Sequence, residues 1–335
     1  NKALRPAADP AKKILVLINP FGGGGIAPSR WKKLHALVAP AGLTLEVIET
    51  THAGHARELM ATLPIGDYHA ICTVSGDGLV YEVINGLLSR DDGREAVQKL
   101  PLSPAPGGTG NGLFASICHK AGEPIDIIGA AFLLVKGKPA PLDLWEYVRP
   151  ATAEVRRSKQ AQAKNASSNN PLLFSFLCAQ APEHRLGWSM LSLSWGIISD
   201  VDLESEVLRW AGPLRLTLYA LWRISFLRKY SATLKYLDAG SDEWKTLDAS
   251  NWVGLWACNV PYMTETDFAA PGAGFDDGCV DIMCLVGTSR WQALSMFLAM
   301  EEGKHIGGGG LEVLKAKAFR LDPKPRTPSK PGLFS

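Results

Sequence analysis

The 335 residues contain no GxxxxGK(S/T) loop, no CxxC pair and no apolar run long enough to span a bilayer. The first absence excludes the Walker type of nucleotide site. The second removes the commonest metal and redox frameworks: Cys72, Cys118, Cys178, Cys258, Cys279 and Cys284 have no metal-ligand spacing. Several of them fall in apolar strand patterns and read as buried, reduced thiols, the expectation for a cytoplasmic protein. An excess of charge of one sign is also lacking. A net charge of +2, with 20% charged residues, gives no electrostatic case for nucleic acid. The opening Asn1-Lys2-Ala3-Leu4-Arg5-Pro6 has no signal-peptide core and no initiator Met, which predicts a piece of a longer chain.

What is present has two textures. From 13 to about 140, apolar strands at 14–18, 43–48 and 70–74 alternate with helical patterns at 31–38, 54–63 and 79–89. That order predicts an α/β domain, a parallel sheet with covering helices. From 141 to 322 come short alternating strands, at 142–147, 172–177, 189–195, 230–237, 252–260, 279–286 and 315–321. They predict a mostly antiparallel, β-rich second domain. A stretch poor in large apolar residues, 149–171, reads as a flexible insertion in it. Residues 1–12 read as a tail, and 323–335 as a proline-rich linker cut short.

Three glycine loops follow strands of the first domain. They are Asn19-Pro20-Phe21-Gly22-Gly23-Gly24-Gly25, Ser75-Gly76-Asp77-Gly78 and Pro106-Gly107-Gly108-Thr109-Gly110-Asn111. On consecutive parallel strands they open on one sheet edge, where such sheets bind ligands. Glycines allow close backbone approach, and successive N–H groups make an anion-binding concavity. Gly22, Gly24 and Ala27 with Glu49 also fit a dinucleotide fingerprint. The Gly-Asp-Gly loop has no job in that fold. An acid at a strand-to-helix junction beside phosphate is suited to take a proton from an attacking hydroxyl, or to hold a metal.

The Gly-Asp-Gly loop together with Gly107-Gly108-Thr109-Gly110-Asn111 resembles the diacylglycerol-kinase-type catalytic domain. Asp200-Val201-Asp202-Leu203-Glu204-Ser205-Glu206, after Leu193-Ser194-Trp195-Gly196, narrows the resemblance to the sphingosine kinase family. His55-Ala56-Arg57-Glu58-Leu59 and Phe297-Leu298-Ala299-Met300-Glu301 add to it, and it runs from about residue 12 to the end. The resemblance implies transfer of the γ-phosphate of ATP to the primary hydroxyl of a sphingoid base, with Mg2+. It implies Asp77 as general base. It places Asn19, Gly22, Gly23, Thr50, Ser75, Gly76, Gly78, Glu82, Gly108, Thr109 and Asn111 around ATP, with Arg209 and Arg215 reaching the phosphates. Asp202, with Ser192, would hold the amino-alcohol head group. No metal ligands are assigned. The Asp276-Asp277-Gly278 segment reads as either a tight turn or a metal or structural site. The first loop departs from the family in having no lysine among its glycines, and the chain stops before a Val-Asp-Gly-Glu strand that the family carries. Alternatives are a diacylglycerol or ceramide kinase, or a non-catalytic nucleotide- or lipid-binding relative.

The acidic segment agrees with this on physical grounds. A sphingoid base carries an ammonium that a carboxylate can pair through charge-assisted hydrogen bonds, and diacylglycerol and ceramide do not. A lipid tail cannot cross water freely, since each CH2 is worth about 0.8 kcal/mol. The segment 215–229, apolar, aromatic and flanked by basic residues, is therefore a candidate for peripheral docking on a membrane. It reads equally as a core helix or a calmodulin-like partner site.

Overall fold

The computed structural model describes residues 13–148, 187–211, 214–241 and 243–324. The expected insertion at 149–171, the strand at 172–177, the tail 1–12 and the linker after Lys324 lie outside the described residues.

The chain forms two compact units: Asn1–Leu191 with Val260–Asp267, and Ser192–Asn259 with Phe268–Ser335. The first unit thus reaches beyond the boundary expected at 140/141. Its elements are β1 (Lys13–Ile18), α1 (Ala27–Val38), β2 (Leu45–Glu49), α2 (His55–Thr62), β3 (Tyr68–Ser75), α3 (Asp77–Leu87), α4 (Gly93–Lys99), β4 (Leu102–Pro106), α5 (Gly112–Ala121), α6 (Ile127–Lys136), β5 (Trp145–Tyr147) and β6 (Gly187–Ser189). β5 and β6 pair only with each other, as a two-stranded ribbon. Alternating sequence at 142–147 signals a strand but not which sheet it joins, hence the shifted boundary. Helix α1 starts four residues before the expected Trp31, because Pro28 suits a first helical turn even though it breaks the apolar pattern.

Four parallel strands lie in the order β2-β1-β3-β4. From Ile14 to Ile18 β1 is apolar because both its faces are covered. Ile14, Val16 and Ile18 pack against Leu34 and Val38 of α1, Phe114 of α5 and Leu134 of α6. Leu15 and Leu17 pack on the other face, against Met60 of α2 and Leu79, Val83 and Leu87 of α3. The helices that follow β1 and β3 therefore leave to opposite faces. The carboxyl ends of these neighbouring strands are the usual ligand position in such sheets.

The second unit holds β7 (Ser192–Gly196), α7 (Ile197–Glu204), a 3-10 turn (Ser205–Ala211), α8 (Leu214–Ser225), β8 (Tyr230–Asp238), β9 (Trp244–Cys258), β10 (Val280–Val286), α9 (Arg290–Ala299) and β11 (Glu312–Pro323). Its antiparallel sheet runs β10-β11-β8-β9-β7, and β10 also pairs with β9, so four strands close into a ring. The long β9 makes this closure. Its first half pairs with β8, and residues 254–258 lie between β7 and β10. Trp252 sits at this change of partner, fully buried, its indole N–H donating to the Ala232 carbonyl at 3.0 Å. Near the start of β10, Lys315 Nζ donates to Asp277 at 2.8 Å and to the Gly272 carbonyl at 3.1 Å, and lies 3.0 Å from Asp281. An ammonium thus fills the space between the two carboxylates, so the Asp276-Asp277-Gly278 segment is a turn fixed by a lysine.

Candidate active site

The three glycine loops meet at the carboxyl ends of β1, β3 and β4, and their backbones touch. A Cβ on Gly108 would lie 2.3 Å from both Cα and N of Gly76. One on Gly23, which has φ +58°, would lie 2.8 Å from the Gly107 carbonyl oxygen. Side chains at these points would pry the loops apart, and this explains the glycines before any ligand is considered. Polar side chains then brace the turns. Asn19 Oδ1 accepts from the Phe21 N–H at 3.0 Å. Buried Asn111 accepts from the N–H groups of Gly107 and Gly108 at 3.3 and 3.2 Å and donates to the Gly108 carbonyl at 3.2 Å. Thr50 is buried, its hydroxyl donating to the Ile18 carbonyl at 3.3 Å, and Ser75 is buried beside Gly22. Thr109 is exposed.

Asp77 opens α3, yet its carboxylate serves another helix. Gly112 N–H donates to Oδ2 at 2.8 Å and Leu113 N–H to Oδ1 at 3.0 Å, so Asp77 caps α5. Burial raises its pKa above the ordinary carboxylate range, and these two N–H groups oppose the rise. Glu82, one turn further along α3, does the same for α2, accepting from the Gly54 N–H at 3.0 Å. Its pKa is also raised by burial, against backbone N–H groups that lower it. A carboxylate offers about four lone-pair sites. Asp77 spends two on the protein and keeps the others.

Beside the third loop is a cavity of about 210 Å³ lined by Ile26, Arg30, Gly108, Thr109, Asn111 and Glu265, among others. The segment Val260–Asp267, which follows β9 in the chain, supplies Glu265 and is held by Tyr262 N–H donating to Ser116 Oγ at 2.9 Å. Asn111 Nδ2 donates to Glu265 at 2.8 Å. Arg30 and Glu265 are not evident in the sequence. Arg30 looks like an ordinary surface residue of α1, and Glu265 is brought to the loop by a return of the chain from some 150 residues away. The one available signal is the polar run Thr264-Glu265-Thr266-Asp267 between two apolar strands.

In the second unit the acidic segment is α7 and the turn after it. Asp200 accepts from Arg223 at 3.0 Å and from Arg228 at 3.4 Å, and the Tyr230 hydroxyl also donates to it. Glu204 pairs with Arg228 and accepts from the Tyr219 hydroxyl at 2.8 Å. Glu206 pairs with buried Arg215. Asp202 differs: among the described residues its carboxylate has no hydrogen-bond partner. Desolvation raises its pKa, Arg215 pulls it down and Glu206 pushes it up. Ser192 accepts from the Trp256 indole N–H at 3.2 Å. Arg215 is held by Glu206 within this unit, and the side chain of Arg209 lies outside the described residues. On α8, Leu214, Leu218, Leu221 and Trp222 are exposed, as is Phe226 just beyond it, whereas Arg215, Ala220, Arg223 and Ile224 are buried.

Residues 13–147 match the model of the diacylglycerol kinase catalytic domain. The chain is 31% identical to sphingosine kinase 1 of Mus musculus, with 96% of this chain and 85% of the relative covered. It is 31% identical to sphingosine kinase 1 of Homo sapiens, with 93% and 83% covered. With sphingosine kinase 1 of Arabidopsis thaliana the identity is 30%, and the chain spans 67% of that relative's length. Among solved structures, one described as a diacylglycerol kinase from Bacillus anthracis superposes with a TM-score of 0.57 at 18% identity, covering 94% of this chain and 87% of that one. This last likeness concerns the fold.

Proposed function

The chain belongs to the sphingosine kinase family, within the diacylglycerol-kinase-type lipid kinases, and from that membership we propose that it transfers the γ-phosphate of ATP to the primary hydroxyl of a sphingoid base. The observation that carries the substrate class is Asp202. Of the four acids in the segment, three are held by arginines or tyrosines, and among the described residues Asp202 alone is left desolvated without a hydrogen-bonded partner. A desolvated carboxylate without a hydrogen-bonded cation is costly, and the ammonium of a sphingoid base supplies one. Diacylglycerol has no such group.

Phosphoryl transfer asks the protein for alignment and charge stabilisation. The N–H groups of the three loops cradle the phosphates. Asp77 takes the proton of the attacking hydroxyl on a lone pair that Gly112 and Leu113 leave free, and its raised pKa makes it a stronger base than an ordinary aspartate. Asn19, Thr50, Ser75 and Asn111 keep the loops in register, and Glu82 fixes α2 against α3. Mg2+ usually rides on substrate phosphates with one or two carboxylates. The donor set fits that habit in having Glu265 as the carboxylate that lines the cavity. Bound there, the ion would neutralise phosphate charge.

The substrate lives in a bilayer, and among the described residues no helix is long and apolar enough to cross one. The exposed face of α8 supports peripheral docking on the cytoplasmic leaflet, and the buried free thiols suit that compartment. The test of the whole reading is phosphate transfer from labelled ATP to sphingosine, diacylglycerol and ceramide side by side. Transfer to sphingosine alone is expected. Preference for diacylglycerol would overturn the role given to Asp202, and no transfer at all would make the chain a non-catalytic relative.

A further inference from the structure

A nucleotide's phosphates bring several negative charges, yet from Asn19 to Ser29 the first loop and the start of α1 contain no lysine or arginine. Within this loop only backbone N–H groups face that charge. One turn further into α1, Arg30 lines the cavity beside Gly107, Gly108 and Thr109, and it is the one basic residue among those lining it. Its side chain is partly buried and has no hydrogen bond or ion pair among the described residues. Glu265 shares the cavity but is engaged by Asn111 and makes no ion pair with Arg30. Arg90, by contrast, is held by Asp92 and by the carbonyls of Met60 and Leu63. An arginine that lines this cavity with no counter-ion among the described residues, next to an anion-binding loop that has no cation, is suited to pair with an anion.

We propose that Arg30 is the phosphate-binding cation of this nucleotide site, its guanidinium donating to a phosphate oxygen of the ATP that the glycine loops hold. The proposal rests on the kinase reading above. It makes the lack of lysine in the first loop a relocation of charge by one helical turn, and not a loss of function. Ile26 tests that relocation. It lines the same cavity, is 39% exposed and has an ordinary φ of −80°, so a lysine there would meet the same phosphates.

The experiment measures binding of ATP and of adenosine to the full chain, wild type, Arg30→Gln, and Arg30→Gln with Ile26→Lys, together with the melting temperature and the KM values. Arg30→Gln should weaken ATP about tenfold to a hundredfold, the usual worth of a hydrogen bond to a charged group, and leave adenosine unchanged. The KM for ATP should rise with it, the KM for sphingosine should not, and Ile26→Lys should recover much of the loss. Unchanged ATP affinity in Arg30→Gln would overturn the proposal. So would an equal loss of ATP and adenosine binding with a lowered melting temperature, which would mark Arg30 as structural. A wild-type chain that binds adenosine and ATP equally would also overturn it. If the wild type bound neither, the kinase reading itself would fall, and the proposal with it.

Discussion

The two units hold their central aspartates in opposite ways. Asp77 is fastened by two backbone N–H groups of a neighbouring helix, whereas Asp202 has no hydrogen-bond partner among the described residues and stands among acids that arginines have claimed. In the first unit, function falls to the backbone: loops approach until only glycine fits, and a carboxylate fixes the helix that follows the third loop. In the second it falls to pairing among side chains, and the group proposed to bind the substrate is the one left over. A site made by backbone proximity tolerates few substitutions and is conspicuous in sequence. A site made by leftover charge depends on every partner around it.

The strongest way to break this contrast is Asp77→Asn. Loss of the general base should lower kcat by about 10²–10⁴ while ATP still binds. More than about a tenth of the activity remaining would refute the role. The amide also turns an NH2 toward one of two backbone donors, so the variant should lose some stability through α5. In the wild type the pH profile should show the raised pKa. Activity is full above it and falls as pH drops through it, at a point higher than the ordinary aspartate value of about 3.9. An acid limb at or below that value would contradict the desolvated carboxyl.

Asp200→Asn and Asp202→Asn sharpen the second half of the contrast, because two aspartates two residues apart should fail differently. Asp200 neutralises Arg223, which is almost fully buried, so Asp200→Asn should cost stability toward the lower end of about 3–5 kcal/mol. Asp202 breaks no such pair. Its folded pKa is raised, so its contribution to stability is complete below the unfolded value and is lost as pH rises through the folded one. At neutral pH its charge costs stability, and Asp202→Asn should melt at or above the wild-type temperature. The KM for sphingosine should nevertheless rise about tenfold to a hundredfold, with the KM for ATP unmoved. If Asp202→Asn destabilised the fold like Asp200→Asn, the leftover-charge account would be wrong.

The same contrast explains what could be read from sequence. The parallel sheet was legible because β1 is apolar on both faces, and the loops because Gly76, Gly107 and Gly108 stand where backbones collide. The antiparallel character of the second unit was legible from alternation. The closure of its sheet through β9 was not, since a strand's pattern does not name its partners. Nor was the bracing of α2 by Glu82, the return of Glu265 to the third loop, or the pairing of Asp200, Glu204 and Glu206 with arginines. Each depends on residues that are distant in sequence, and periodicity carries no information about them.

A smaller effect separates crowding from conformation within the glycine loops. Gly108→Ala puts a methyl group into the Gly76 backbone, and overpacking of this kind costs about 1–3 kcal/mol. The loops must part, so the KM for ATP should rise. Gly24→Ala has a similar conformational cost, about 1 kcal/mol at φ +74°, but its Cβ meets nothing within 4 Å. Its melting temperature should drop while ATP binding holds. Equal effects of the two on ATP binding would show that loop contact is not what shapes the site.

The smallest expected effect on chemistry belongs to α8, and it separates docking from folding. Leu218 is 51% exposed and Trp222 47%, so Leu218→Gln with Trp222→Gln removes little from the core. Trp222 does pack at a tilt against Tyr219 and Phe226, at 5.1 and 5.6 Å between ring centroids, so a minor loss of local packing is expected. Surface substitutions of this kind usually stay within about 0.5 kcal/mol. Turnover of detergent-dispersed sphingosine should therefore persist. Binding to anionic vesicles should fall roughly tenfold, because interfacial affinity scales with the apolar area inserted, and two large side chains are a large share of what this helix presents. Vesicles without anionic lipid would separate the apolar contribution from attraction to the basic residues near the end of the helix. A folded double variant that still bound vesicles as the wild type does would remove α8 from the membrane surface. A collapse of stability would put the same side chains in the core, against their exposure, and would move the docking face to another part of the unit.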